Sequence, residues 1–201
     1  INIISQDTTW YGRDARRRDR GAPLLPELMR ALLDGTDVPW YRLFYMYPSG
    51  ITREMVELIA SEARIVPYLD MPIQHGSDRV LELMRRPERR QTIRERVGWL
   101  RDAIPDLTLR TTVIVGFPGE TDDDFQEMLD LLEEIRFERV GAFTYSAEEG
   151  TRAADMDGQL EQAEMNERLE ELMEVQRDIS FEKNLALVGQ HMTALVDQRL
   201  T

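Results

Sequence analysis

Five polar stretches carry the side chains with which this chain could do chemistry. They are Ser5-Gln6-Asp7-Thr8-Thr9, Tyr47-Pro48-Ser49-Gly50, Pro72-Ile73-Gln74-His75-Gly76-Ser77, Gly116-Phe117-Pro118-Gly119-Glu120 and Tyr145-Ser146-Ala147-Glu148-Glu149-Gly150. Gln6, Asp7 and Gln74 supply the donors and acceptors that hold the amino or carboxylate end of a small ligand, although Asp7 could equally cap its own turn. Tyr47 and Tyr145 could stack on a heterocycle or belong to the core. His75 has no partner motif, so a metal or proton-transfer role competes with a hydrogen-bonded histidine that bridges loop and strand. Gly116-Phe117-Pro118-Gly119 lets the backbone approach a ligand at a helix N-terminus, or merely turns the chain. It matches neither a Walker nor a Rossmann fingerprint, and Glu120 with Asp122, Asp123 and Asp124 opposes a phosphate there. No Ser-His-Asp arrangement, paired-carboxylate spacing or histidine metal motif is recognisable. The chain has no cysteine, which excludes disulfides, thiolate metal ligands and cysteine nucleophiles within it.

Positioning these stretches requires elements that end where they begin. Short apolar runs predict strands at Ile1 to Ile4, Arg42 to Met46, Val66 to Met71, Leu109 to Val115 and Arg139 to Tyr145. Helical spacing fills the intervals. Leu24, Leu25, Leu28, Leu32 and Leu33 share a face over Pro23 to Leu33, and Val56, Ile59, Ala60 and Ala63 do so after a Thr52 cap. Ser77 is expected to cap a short helix and Thr92 to open the next, with Ile93, Val97, Leu100 and Ile104 inward. Thr121 with Asp124 reads as a shortened capping box for a helix over Asp122 to Ile135. Leu160 to Leu187 predicts a long acidic helix with Met165, Leu169, Leu172, Met173, Gln176 and Ile179 facing in. Strands joined by helices indicate a parallel sheet, and the α/β class predicted is a barrel or an open part of one. In such a sheet the five polar stretches gather at the carboxyl ends of the strands.

At 201 residues the chain can bury a core, and 42% hydrophobic with 31% charged content is globular. No apolar stretch approaches the roughly 20 residues of a membrane span, nothing reads as a signal peptide, and the expected location is cytoplasmic. The formal charge of −13 repels phosphate backbones and attracts basic partners. That balance counts against a dedicated nucleic-acid binder. Both ends read as cut, the front before a strand that needs a neighbour and the back inside a module just begun.

Taken together, SQDTTWYGRD, MYPSGIT, YLDMPIQHGSDRVLELMRR, LRTTVIVGFPGETDDDFQEML and VGAFTYSAEEGT resemble the radical S-adenosylmethionine methylthiotransferases in order and spacing. The resemblance covers nearly the whole chain. VGFPGET and PIQHGSD belong to the wider family, which includes enzymes that methylthiolate tRNA adenosine. QDTTWYG and GAFTYSAEEGT resemble the RimO branch, which methylthiolates an aspartate of a small-subunit ribosomal protein; the tRNA branch usually carries a GQN-type sequence where Gln6-Asp7 stands. The acidic balance agrees with a basic protein substrate.

The resemblance implies a partial barrel of the TIM type, strands two to six of it at residues 1–158. It further implies a long closing helix at 159–187 and the start of a C-terminal TRAM β-module at 188–201. It implies S-adenosylmethionine as cofactor and two 4Fe-4S clusters in the full-length enzyme, each held by three cysteines. Neither cluster is expected in this chain, which on this reading is inactive alone. Gln6 and Asp7 would approach the amino group of the cofactor's methionine part, Gly116 and Phe117 its adenosine part with Tyr145 nearby, and Gln74 and His75 would line the same mouth. The substrate implied is a small-subunit ribosomal protein. Nucleic acid would enter only indirectly, through the ribosome or the TRAM module, and no membrane is involved. Two alternatives stay open: tRNA adenosine as substrate, and a non-catalytic barrel that binds S-adenosylmethionine or protein. An unpaired first strand also predicts a non-native dimer through the Ile1 to Ser5 edge.

Overall fold

The structure, a computed structural model, describes residues 1–192. Strands β1 (Asn2–Ile3), β2 (Tyr41–Leu43), β3 (Ile65–Asp70), β4 (Thr108–Val115) and β5 (Arg139–Thr144) lie side by side in chain order, every neighbouring pair parallel. Parallel neighbours cannot be joined by hairpins, so helices make the returns: α1 (Arg13–Arg16) and α2 (Leu25–Gly35), α3 (Arg53–Ser61), α4 (Asp78–Leu83) and α5 (Arg90–Ala103), and α6 (Asp122–Ile135). The 25-residue helix α7 (Gln162–Ala186) follows β5 and packs against it and α6. Strands that advance in one direction with helical returns build a barrel wall, and the α/β class and parallel sheet expected from the sequence are what the chain adopts.

The alternation along β4 shows how the wall divides. Leu109, Thr111, Val113 and Val115 are buried, whereas Thr108, Arg110, Thr112 and Ile114 are half-buried. The first set joins a single core with Met29 of α2, Met55 of α3, Leu100 of α5 and Leu132 of α6. The second faces the concave side, where Arg110 donates to Asp70 at 2.6 Å and Arg42 lies over the Tyr68 ring. Burial, followed by the Asp70 charge, raises the Tyr68 pKa.

Several expected helix faces shift. The buried stripe of α2 is Leu25, Pro26, Met29 and Leu33, and Met29, absent from the leucine pattern, is wholly enclosed. Ala60 is on the exposed face of α3 and Ala63 lies beyond its end at Ser61; Met55 and Leu58 join Val56 and Ile59 on the buried face. Thr52 does cap α3, its hydroxyl accepting from the Met55 N–H at 3.2 Å. Thr92 does not open α5. That helix starts two residues earlier, where Asp78 accepts the Arg90 N–H at 2.6 Å. On α7, Met173 faces out, while Arg168 occupies a buried position. The strand expected across the start of the TRAM module falls largely on 193–201, outside the described residues. No helix among the described residues is long and apolar enough to cross a membrane.

β1 is one edge of the sheet, and Ile1 and Ile4 beside it are about 60% exposed. An unprotected parallel edge recruits other strands. At high concentration the 201-residue chain is expected to associate through β1, giving a dimer mass by light scattering; a monomer mass under those conditions contradicts this.

Candidate functional site

The loops at the carboxyl ends of β3 and β4 are tied together by a buried glutamate. Gly116 turns out of β4 with φ near +75°, and a Cβ there would overlap the Met165 side chain of α7, so both backbone angle and packing demand glycine. The turn brings Glu120 back beneath its own loop. Its Oε2 accepts the Gly116 N–H at 2.8 Å, the Phe117 N–H at 3.3 Å and His75 Nε2 at 3.2 Å; its Oε1 accepts from Arg168 Nη1 at 2.7 Å. His75 Nδ1 accepts the Ser77 N–H at 2.9 Å, which places the ring proton on Nε2, facing Glu120. Arg168 also reaches Asp122 and Glu164. Burial pushes the Glu120 carboxyl up, but hydrogen bonds from His75 and Arg168, with the Arg168 charge, outweigh it and hold the group below its ordinary value.

Asp124 makes a second tie. Thr121 and Asp124 form the expected capping box at the start of α6. Asp124 also accepts the Ser77 hydroxyl at 2.6 Å and the Arg79 guanidinium. Ser77 therefore does not cap α4 with its side chain; the hydroxyl is spent on α6. Burial opposes ionisation of Asp124, but Arg79, Ser77 and Thr121 overcome it and hold its pKa far below the usual carboxylate range.

Above these ties lies a cleft of about 550 Å³, lined among others by Tyr47, Gln74, Arg86, Phe117, Phe143 and Tyr145. Gln74 prolongs β3 through an isolated bridge to Val113 in a left-handed conformation, φ +68°. Phe117 and Tyr145 meet edge to face at 5.4 Å, and the Arg86 guanidinium lies 4.2 Å from the Tyr47 ring centroid. Tyr145 Oη and Arg86 Nε and Nη2 are buried without a hydrogen-bond partner among the described residues. Arg86 Nε stands 4.0 Å from Glu88 Oε2, too far for a hydrogen bond, while Ser49 holds the other Glu88 oxygen at 2.8 Å. Gln6 and Asp7 line a neighbouring depression of about 460 Å³ that shares the Tyr47 wall.

Of the residues singled out from sequence, Gln74, Phe117 and Tyr145 share one cleft, and Gln6 and Asp7 sit beside it. His75 and Gly116 keep their hydrogen-bonding N–H and ring nitrogens turned to the interior. His75 is wholly enclosed with both ring nitrogens engaged, and the Gly116 N–H is occupied by Glu120. They shape the mouth without lining it. Asp7 Oδ1 accepts from both the N–H and the hydroxyl of Thr9, the turn-capping alternative. Nothing in the sequence marks Arg86, Glu120 or Arg168 as site residues. The pairing Glu120–Arg168 spans 48 positions and leaves no local pattern.

The family model for the Radical SAM superfamily matches residues 19–132, more than half of the chain. The chain belongs to that superfamily. It is 45% identical, over 98% of its length, to the ribosomal protein uS12 methylthiotransferase RimO of Sorangium cellulosum, and 48% identical over 99% to that of Desulforudis audaxviator. It spans only 41% and 43% of those relatives, about two fifths of their length. Among solved structures it resembles the radical SAM enzyme coproporphyrinogen III oxidase (HemN) of Escherichia coli, with TM-score 0.62 and 17% identity over 76% of this chain and 36% of that one. It also resembles the radical S-adenosylmethionine methyltransferase TsrM of Kitasatospora setae, with TM-score 0.53 and 16% identity over 71% and 27%. At those identities the likeness speaks for the fold.

Because both buried carboxylates titrate below their unfolded values, the stability they confer is complete above about pH 4.5. It is lost as pH falls through the lower folded values. Glu120→Gln leaves Arg168 without its buried partner and is expected to cost about 3 kcal/mol. It should also flatten the acid limb of thermal melts recorded from about pH 5 to about pH 2.5. A variant with the wild-type acid profile and melting temperature would contradict the assignment.

Proposed function

We propose that this chain is the cofactor-binding core of an enzyme that methylthiolates an aspartate of ribosomal protein uS12. In this reading residues 1–158 form the radical SAM core, 159–187 its closing helix and 188–201 the start of a TRAM module. The observation that carries the reading is identity of 45% to 48% with uS12 methylthiotransferases across 97% to 99% of the chain.

The residues of the cleft suit S-adenosylmethionine. Phe117 and Tyr145 offer apolar ring surface to an adenine, Gln74 and Gln6 offer amides to polar groups, and Arg86 offers a cation to a carboxylate. The orphaned Tyr145 hydroxyl and Arg86 nitrogens are the kind of buried polar groups that a ligand or water must satisfy. When bound, the cofactor supplies one-electron chemistry; the chain binds it, orients it and keeps the mouth rigid around it. The clusters do not fit here. There is no cysteine, and no group of three His, Cys, Asp or Glu among the described residues could hold a metal. Their ligands are assigned to parts of the protein outside these 201 residues. The net charge of −13 suits approach of a basic ribosomal protein, and a cytoplasmic location follows from that substrate.

Two measurements test the proposal. Deleting the gene should remove the methylthio group from uS12, read by mass spectrometry, and leave tRNA methylthiolation intact; the opposite pattern supports the tRNA reading and overturns this one. Gln74→Ala and Tyr145→Phe should each weaken S-adenosylmethionine binding by about tenfold in calorimetry, the loss of roughly one hydrogen bond. Wild-type affinity in both variants would remove the cleft from the proposal.

A further inference from the structure

Beside the strand end that carries Gln6 and Asp7 lies a surface whose charge runs against the rest of the molecule. Residues 13–20 hold five of the chain's 25 basic side chains, Arg13, Arg16, Arg17, Arg18 and Arg20, against two carboxylates, Asp14 and Asp19. Arg16 pairs with Glu27 and Arg13 donates to the Gly50 carbonyl. Arg17, Arg18 and Arg20 are exposed and have no ion-pair partner among the described residues. Next to them Trp10 is 46% and Tyr11 42% exposed, with the Arg13 and Arg17 guanidinium groups 5.4 and 5.8 Å from the Trp10 ring centroid. The arrangement is held in place by Gly12, whose φ is +74° and whose position leaves no room for a Cβ beneath the Pro23 carbonyl. Trp10 and Tyr11 wall an open depression of about 590 Å³ together with Ser5, Asp7 and Asp14.

We propose that this surface binds single-stranded RNA, with phosphates along Arg17, Arg18 and Arg20 and a base stacked on Trp10. Guanidinium groups interleaved with exposed aromatic rings supply the two things a single strand needs, charge for its backbone and flat apolar surface for its bases. An acidic peptide would use the arginines alone and leaves the exposed rings unexplained. The net charge does not forbid it: fields of exposed charges fade within about 8 Å at physiological salt. Much of the acid is carried by residues 120–138 and 148–182. This depression shares Ser5, Asp7 and Trp10 with the one that holds Gln6 beside the cofactor cleft, but RNA binding needs neither cluster nor protein substrate.

The test is fluorescence anisotropy of the chain with a labelled single-stranded RNA of roughly 12 nucleotides. Three phosphate contacts give a salt slope near −2, so affinity should fall about twentyfold between about 50 and about 200 mM salt. Exchanging Arg17, Arg18 and Arg20 for Gln together should abolish most binding and flatten that slope, and Trp10→Ala should weaken binding about tenfold. All four side chains are solvent-exposed, and circular dichroism verifies that the variants keep the fold. Absent binding at low salt, salt-independent binding, wild-type affinity in the triple variant, or preference for an oligoglutamate peptide over the RNA would each overturn the proposal.

Discussion

A carboxylate removed from water stays charged only if both oxygens are hydrogen-bonded and a cation stands nearby, and Glu120 meets that condition with groups from three separate parts of the chain. The donors are its own loop, His75 after β3, and Arg168 on α7. One side chain thus couples two strand-end loops to the helix that follows the sheet. Asp124 repeats the device one turn further on, taking Ser77 and Arg79 from the neighbouring crossover. The mouth is therefore built before any ligand arrives. Its cost in desolvation is met locally, by bonds that also define the loop conformation.

This arrangement decides how a ligand can be held. A glycine-rich turn at a helix N-terminus commonly offers its free N–H groups to an anion. Here the Gly116 and Phe117 N–H groups already serve an internal anion, so in the function proposed above recognition falls to side chains that line the cleft: the Gln74 amide, the rings of Phe117 and Tyr145, and the Arg86 guanidinium. The concave face behind them is polar as well, with Asp70 and Arg110 paired at 2.6 Å. Such a face suits an open barrel wall, since a closed apolar interior would need no paired charges.

Legibility from sequence followed the range of the interaction. Parallel strands and their order were readable because alternation of short apolar runs and helical stretches is a local signal. So was the Thr121–Asp124 box, confined to one turn. Ser77 and Thr92 differ from their expected roles for a related reason: both look like caps locally, but Ser77 is taken by Asp124 and α5 begins where Asp78 meets Arg90. Met173 faces out against the expectation, and Arg168 is buried because Glu120, invisible in the α7 periodicity, rewards a cation on that face. His75 sits in the motif that carried the family resemblance, but only coordinates show that it supports the mouth from behind. The basic run Arg13 to Arg20 is plain in the sequence but masked by a total charge that averages over the whole chain.

Hydrogen exchange at the Gly116 and Phe117 amides, resolved by NMR, tests the central claim most directly. If Glu120 holds the mouth, both amides are strongly protected in the ligand-free chain, change little when S-adenosylmethionine is added, and exchange rapidly in Glu120→Ala. Amides that exchange freely until the cofactor binds would show that the ligand orders the loop, and the account given for Glu120 would be wrong.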